Sequence, residues 1–392
     1  MIVEKHGRIP IKSWCNNPEE GALEQARNLA NLPFAFRHIA LAPDCHQGYG
    51  MPIGGVCATE NVIVPNMVGM DIGCGMMAVK TSIKEIQTNT LEHILNVIRR
   101  NIPTGFNHHK IQCDHSKMPL FNEGQFITER EEYICKEQYE SARYQMGTLG
   151  GGNHFIEIQR GDDGMIWFMI HSGSRNLGYK VATHYNNIAK EVNAKWFSAV
   201  PKEWELAFLP VDTKEAKSYI SEMEYCLDFA QRNREQMANV IKGIIHSSLG
   251  GHPKFTKEIN IHHNYVSLEN HFGRNVWVHR KGATSAREGE LGIIPGSQGT
   301  SSYIVRGLGN RESFNSCSHG AGRVMGRKEA KRTLDLDKEQ ALLNDKGILH
   351  KLTASNLDEA SSAYKDIKTV MKEQEDLVEI VTELTPLAVV KG

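Results

Sequence analysis

Residues Gly69 to Gly75, read as Gly-Met-Asp-Ile-Gly-Cys-Gly, set three glycines around one carboxylate and one thiol. They follow a strand-like run, Asn61 to Val64, closed by Pro65. Glycine admits backbone angles that other residues resist and lets groups approach closely. The stretch therefore predicts a tight loop that presents Asp71 and Cys74 at one point. Carboxylate oxygen and thiolate sulfur are both metal ligands, and a thiolate can bridge two ions. Taken alone, the loop reads as a glycine turn with a small buried cysteine. The rest of the chain alters that balance.

The chain has 392 residues, room for one large or two ordinary domains. It shows no linker, repeat or low-complexity segment, so one compact unit over 1–392 is predicted. With 40% hydrophobic and 23% charged residues it is composed like a soluble globular protein. The net charge of -1 confines any nucleic-acid binding to a local basic patch, for which Arg175, Arg280, Lys281, Arg287, Arg306 and Arg323 are the candidates. No apolar run is long enough to span a bilayer, so no membrane role is expected. The opening Met-Ile-Val-Glu-Lys-His lacks a signal-peptide layout. Eight scattered cysteines without a Cys-x-x-Cys pair exclude a zinc ribbon and a small disulfide scaffold. They point to a reduced, cytoplasmic compartment.

Apolar spacing predicts helices over 19–31, 83–101, 129–145, about 178–196, 218–247 and 366–374. Strands are expected over 38–42, as a pair within 54–64, and over 76–81, 165–170 and 377–390. Short strands mixed with helices, without regular βαβ units, imply an α+β fold. Pro43 to Gly50 reads as a turn, since Pro-Asp is ordinary turn chemistry. Residues 104–125 read as a polar surface loop whose His108, His109, Cys113 and His115 match no tetrahedral metal spacing.

The histidines carry more. Three glycines run directly into Asn153-His154, which implies close backbone approach, and Ile156 and Ile158 then alternate with Phe155 and Glu157 as a strand begins. The apolar run Met165 to Ile170 delivers His171, which by itself reads as a core histidine. His262 and His263 are neighbours in a strand and face opposite ways, so only one can share a site with the others. Asp71, Cys74, His154, His171 and one of this pair make one ligand more than a tetrahedral site needs. Two ions bridged by the thiolate would use them all, and the donor set suits zinc, manganese, iron or cobalt. Two-metal sites clamp attacking and leaving oxygens in phosphoryl chemistry. Pro295 to Tyr303 offers hydroxyls and free amides that can cradle phosphate. It lacks the lysine of a Walker A loop. His319 stands among small residues before an Arg- and Lys-rich segment, read as a helix start favourable to anions, where the plain alternative is an N-terminal cap. A histidine so placed can act as a covalent nucleophile and form a phosphoramidate.

Asp71-Ile-Gly-Cys74-Gly, Gly152-Asn153-His154-Phe155-Ile156-Glu157, His171-Ser-Gly-Ser-Arg175, His262-His263-Asn264-Tyr, Pro295-Gly-Ser297 and Ser318-His319-Gly-Ala-Gly-Arg323 stand in this order, before a terminal Lys391-Gly392. In series they resemble the signature blocks of the RtcB family of RNA-splicing and RNA-repair ligases, over nearly the whole chain. The resemblance implies a single α+β domain with mixed sheets packed around a central dinuclear metal site. It implies a GTP-dependent ligase that joins an RNA 3′-phosphate, or a 2′,3′-cyclic phosphate, to a 5′-hydroxyl. By position His319 matches the guanylylated nucleophile, and Asp44 its orienting carboxylate. Two Mn2+ ions would be held by Asp71, Cys74, His154, His171 and His263, with Cys74 between them and His263 preferred because it directly precedes Asn264. Contacts to GTP would fall on Asn153, His154, Phe155, Ile156, Glu157, His263, Asn264, Pro295, Gly296, Ser297, Gln298, Ser302, His319, Gly320, Ala321, Gly322 and Lys391.

The chain departs from the family pattern at Cys45, where an aliphatic residue is usual, at Gln47 and Tyr49, at Asn176 and at Gln298. These positions touch RNA-end preference and any helper protein, not the reaction class. Two rivals compete with the ligase. A dinuclear metal phosphoesterase would use the same ligands without need of His319 or Lys391. A non-catalytic RNA-binding factor would hold a structural metal and show binding without turnover.

Overall fold

The computed structural model describes residues 1–121, 133–250 and 253–392. Two sheets dominate the α+β architecture. A six-stranded sheet runs, in spatial order, Ile2–Glu4, Ile11–Ser13, Ala35–Tyr49, Met51–Thr59, Arg274–Lys281 and Asn264–His271. A seven-stranded sheet runs Phe255–His262, Gly75–Thr81, Ile166–Ser172, Phe155–Gly161, Val378–Lys391, Ser302–Gly307 and Leu291–Ile294. An apolar cluster joins the two, with Ala40, Val56, Val276 and Val278 of the first sheet packed with Ile294, Tyr303 and Val305 of the second.

Alternation along the seven-stranded sheet decides what reaches the site, because successive side chains point to opposite faces. Ile156, Ile158, Ile166, Phe168 and Ile170 share one apolar cluster with Leu91, Ile94, Met237 and Ile241 of the helices Thr88–Asn101 and Lys214–Leu249. Phe155, Trp167 and Met169 belong to a separate cluster on the other face, and His171 stands in register beside Phe155. The helix Lys214–Leu249 is closed at both ends by local chemistry. The Thr213 hydroxyl accepts from the Ala216 amide, and Gly250 takes a left-handed φ of 60° at the exit. No helix among the described residues is long and apolar enough to cross a membrane.

Several expectations change. The turn predicted at 43–50 is instead the end of the strand Ala35–Tyr49, whose pairing with Met51–Thr59 shifts register between Leu41 and His46 and again before Tyr49. Pairing with the next strand of the hairpin here overrides Pro-Asp turn chemistry. His319 is not at a helix start: it follows the short strand Ser316–Ser318, and the next helix begins at Arg327. The helix expected over 83–101 starts only at Thr88. Of the helix expected over 129–145, residues 129–132 lie outside the described residues, and the remainder forms Ile134–Glu137 and Tyr139–Gln145.

Candidate active site

The loop after the one-turn helix Pro65–Met67 is pinned from three sides. The Cys74 amide donates to the Asp71 carbonyl (3.1 Å), the Gly73 amide to the Asn264 carbonyl (2.9 Å) and the His263 amide to the Cys74 carbonyl (2.9 Å). Beneath it lies Arg234, fully buried on the long helix. Its guanidinium donates to the carbonyls of Gly73 (3.1 Å) and Ser172 (2.9 Å) and to the Asn260 side chain (2.7 Å). Burial lowers this arginine to about 10. A rigid cation thus holds the backbone beside Cys74 and beside His171.

Cys74 Sγ lies 3.2 Å from His171 Nε2 and 3.5 Å from His154 Nε2, and His154 Nε2 is 3.1 Å from Asp71 Oδ2. The ring of His263 is 5.2 Å from that of His171. The far nitrogens show how the rings are set. His154 Nδ1 meets the Leu149 carbonyl (2.8 Å) and His171 Nδ1 the Asn153 carbonyl (3.1 Å). A carbonyl only accepts, so each Nδ1 carries a proton and each Nε2 faces the Cys74 sulfur, that of His154 also facing the Asp71 carboxylate, the usual posture of ligating histidines. Burial first, then neighbouring imidazoles, keeps His171 and His263 far below the ordinary histidine range, hence neutral. Burial pushes the Cys74 thiol up, as does the Asp71 carboxylate. A bound cation would reverse that. His263 Nδ1 is buried without a hydrogen-bond partner, which a ligand role would satisfy. Two imidazoles, a thiol and a carboxylate converge, with the unpartnered His263 alongside, so the donor set fits a transition metal. His262 faces elsewhere: its Nδ1 meets the Gly73 carbonyl (3.1 Å) and the Arg234 guanidinium (3.2 Å).

His319 adjoins this cluster, its ring 4.8 Å from that of His263. Asp44 is completely buried and accepts three hydrogen bonds on Oδ2, from His319 Nδ1 (2.6 Å), the His319 amide (3.1 Å) and the Gly320 amide (3.2 Å). Burial alone would raise the Asp44 carboxyl, but the charge and hydrogen bond of His319 outweigh it and hold it below its ordinary value. The return of the loop needs glycine at 322, where φ is 74° and an added Cβ would collide with the Asp44 backbone. The Asp44→Asn protein can still accept from the two amides yet loses the charge that favours Nδ1–H. Any reaction at His319 Nε2 is expected to slow by about 10³-fold or more in this variant, with the fold unchanged by circular dichroism.

A cavity of about 170 Å³ opens beside His319. Its walls include Asn153, Phe155, Glu157, His171, Pro295, Gly296, Ser297, Gln298, Gly320, Ala321, Gly322 and Lys391. Ile156 does not reach it, because alternation turns that side chain into the apolar cluster under the helices. Asn264 and Ser302 bond inward: Asn264 to the Asp71 carbonyl (3.1 Å) and the Gly282 amide (2.8 Å), Ser302 to the Gly296 amide (3.2 Å) and Gln159 (3.1 Å). His154 and His263 sit in the ligand cluster and not in this wall.

Sequence reasoning missed the acidic hub of the cavity. Glu359 is 1% exposed and accepts from Lys391 Nζ (3.1 Å), Tyr364 Oη (2.5 Å), Arg323 (3.3 Å) and Arg327. Burial opposes ionisation, but Lys391 and then Arg327 bring Glu359 down to about 2. The signal was an acidic pair, Asp358-Glu359, facing the basic run from Arg323, but its pairing is long-range. Removing one partner from a buried charged cluster strands the others. Glu359→Ala is therefore expected to destabilise the protein by about 3 kcal/mol, read as a lower melting temperature.

The basic candidates divide. Arg280 is buried and paired with Glu269 (2.5 Å), and Lys281 is buried and donates to the Tyr49 carbonyl (2.5 Å), so neither offers its charge to RNA. Burial lowers Lys281 to about 7. Arg323 is tied to Glu359 and the Asp358 carbonyl (2.7 Å), and Arg175 to Thr148 (2.9 Å) and the Gly105 carbonyl (3.0 Å). Arg287 and Arg306 are exposed. In the polar segment from 104, His109 bonds the Gly147 carbonyl (3.3 Å) and His115 bonds Tyr139 (2.9 Å). Residues 122–125 of that segment lie outside the described residues.

A family model described as tRNA-splicing ligase RtcB matches residues 25–392. The RNA-splicing ligase RtcB of Escherichia coli strain K12 is 38% identical, across 98% of this chain and 97% of its own length. The tRNA-splicing ligases RtcB of Pyrobaculum aerophilum and Thermococcus kodakarensis are 32% and 29% identical, covering 98% and 99% of this chain. Similarity that spans both the ligand cluster and the His319 cavity establishes that the chain belongs to the RtcB family.

Proposed function

We propose that this protein is an RNA ligase that uses GTP to join an RNA 3′-phosphate or 2′,3′-cyclic phosphate end to a 5′-hydroxyl end, in RNA repair or tRNA splicing. The observation that carries the nucleotidyl step is His319, locked through Nδ1 to a buried carboxylate with Nε2 left free at a cavity. His319 Nε2 attacks the α-phosphorus of GTP: an N–P bond forms, the P–O bond to pyrophosphate breaks, and pyrophosphate leaves. Asp44 holds the imidazole in the attacking tautomer and balances the positive charge that grows on it. The RNA 3′-phosphate then displaces His319 and takes the guanylate, and the 5′-hydroxyl attacks that activated end to release GMP. A cyclic end is first opened by hydrolysis.

Asp71, Cys74, His154, His171 and His263 would hold two manganese ions, which supply Lewis-acid stabilisation of phosphoryl oxygens when bound. Lys391, which donates to Glu359 (3.1 Å), would read the purine. All eight cysteines are unpaired, which suits a reducing compartment such as the cytoplasm.

Glu157 adds a pH signature. Burial drives its carboxyl up to about 8 against the opposing charge of Lys391. Between the ordinary carboxyl range and pH 8 the folded chain holds a proton that the unfolded chain has lost. Stability of the nucleotide-free protein should therefore fall as pH rises through that window. Denaturant titrations should show the fall in wild type and a flatter profile in Glu157→Gln.

The test is incubation with α-labelled GTP and Mn2+, then denaturation and peptide mapping. Acid-labile label on the peptide containing His319 is expected. Its absence from folded, metal-loaded protein would overturn the ligase and favour the phosphoesterase. Label on another residue would keep the class and move the nucleophile.

A further inference from the structure

Cys15 and Cys45 play no part in the chemistry above. Cys15 follows the strand Ile11–Ser13, and Cys45 comes directly after Asp44 in the strand Ala35–Tyr49. The strands are parallel with Ser13 opposite Leu41, and the Trp14 amide donates to the Leu41 carbonyl (2.9 Å). Continuing that register carries residue 15 to Pro43, two residues before Cys45. Both thiols are buried, in one apolar cluster.

Lys365 sits over the pair. Its Nζ donates to the carbonyls of Pro43 (2.9 Å) and Cys45 (2.7 Å) and to Cys15 Sγ (3.5 Å). An ammonium has three protons, and here all are used. Two clasp the carbonyls on either side of Asp44, and the third rests on sulfur. The Lys365 amide also donates to the Gly322 carbonyl (2.9 Å) in the His319 loop. The hydrogen bond from Cys45, against burial and with the help of Lys365, lowers Cys15 below the ordinary thiol range. A cation resting on one of two neighbouring thiols favours the thiolate that oxidation requires.

We propose that Cys15 and Cys45 form a redox switch, in which a peroxide-class oxidant converts them to a disulfide that disturbs Asp44 and halts guanylylation of His319. The proposal rests on the ligase reading for its consequence, though not for its chemistry. The Cys15 thiolate attacks the peroxide; an S–O bond forms, the O–O bond breaks, and hydroxide leaves to become water. The Cys45 thiol then displaces water from the sulfenic acid to form the S–S bond. Two thiols and one peroxide give one disulfide and two waters; both sulfurs are oxidised and the peroxide is reduced. A thiol reductant reverses the change.

Bonding would draw the sulfurs to about 2 Å. Cys45 has little room to yield, since even a Cβ on Gly54 would lie 2.8 Å from its Cα and 2.9 Å from Asp44 Oδ1. Oxidation also removes the sulfur charge that anchors Lys365. The movement therefore falls on the Asp44 segment and its 2.6 Å bond to His319.

The experiment treats the metal-loaded full chain with hydrogen peroxide or diamide. It reads two quantities: the Cys15–Cys45 cross-link, by non-reducing peptide mass mapping, and covalent label from α-labelled GTP. Wild type should show the cross-link and lose label by about 10²-fold, the scale of a misplacement of about 1 Å. Dithiothreitol should restore it. Cys45→Val should label normally before and after oxidant, with Cys15→Ser as the second variant if Cys45→Val folds poorly. Absence of the cross-link would overturn the proposal, as would a cross-link with no loss of label. Equal loss in wild type and Cys45→Val would also overturn it and point to Cys74. Absence of label before oxidation would overturn the ligase reading and with it the switch, while the mapping would still score the disulfide.

Discussion

His319→Ala protein is expected to take no covalent guanylate from GTP and to lose end joining by about 10⁴-fold or more, the scale on which removal of a covalent nucleophile acts. The reason is geometric. Asp44 gathers the His319 ring, the His319 amide and the Gly320 amide onto one carboxylate oxygen, so the ring is held in one tautomer with little freedom. Among the described residues, no other imidazole shares one carboxylate oxygen with its own amide and the next. His171 and His263 are buried among the ligand cluster, and His46 bonds through Nδ1 to the Asp44 carbonyl (3.0 Å). The loss of His319 leaves the buried Asp44 carboxylate with only the two amides, so the melting temperature of the variant should fall and its labelling should be read on protein shown by circular dichroism to be folded. RNA whose 3′ end already carries the activated guanylate should still be joined by His319→Ala, since that step makes no use of the nucleophile. A variant that joins ordinary ends at wild-type rate would remove His319 from the mechanism.

Cys74→Ala is the second large effect, and it acts on the metal. Cys74 Sγ stands between His154 and His171, within 3.5 Å of both Nε2 atoms. Cys74, His154 and His171 offer ligand atoms all within 4.8 Å of one another. Loss of a supporting residue outside the ligand set typically costs 10–100-fold in metal affinity. Loss of the central donor should cost more, about 10³-fold by extension. Manganese retained after gel filtration should fall to background, and end joining with it. The side chain is small and buried, so the apo-protein should lose about 1 kcal/mol from the cavity alone. Retained near-UV dichroism together with lost manganese would separate a ligand from a structural cysteine. Full manganese retention by folded Cys74→Ala would refute the assignment.

What was legible in the sequence was the chemistry carried by neighbours. Asp71, Cys74, His154, His171 and His319 stood out because each lies within two residues of a glycine or at the end of an apolar run, and such features are local. Ile156, expected among the nucleotide contacts, instead turns into the apolar cluster, an outcome that the two-residue alternation after His154 already contains. Tertiary structure decided the rest. The choice of His263 over His262 depends on Arg234 and Gly73 capturing the latter. The strand through residues 43–49 depends on partners in Met51–Thr59, whose ladder outweighs the turn preference of Pro43-Asp44. Arg280 and Lys281 carry charges that a sequence reader assigns to the surface, yet strand pairing buries both. Glu359, Tyr364 and Lys365 acquire their roles only through Lys391, Arg327 and Asp44's neighbours, far away in the chain. Residue type and spacing determine which groups can ligate or attack. Which of them meet, and which are silenced by burial or an ion pair, is set by long-range contacts that no local pattern contains.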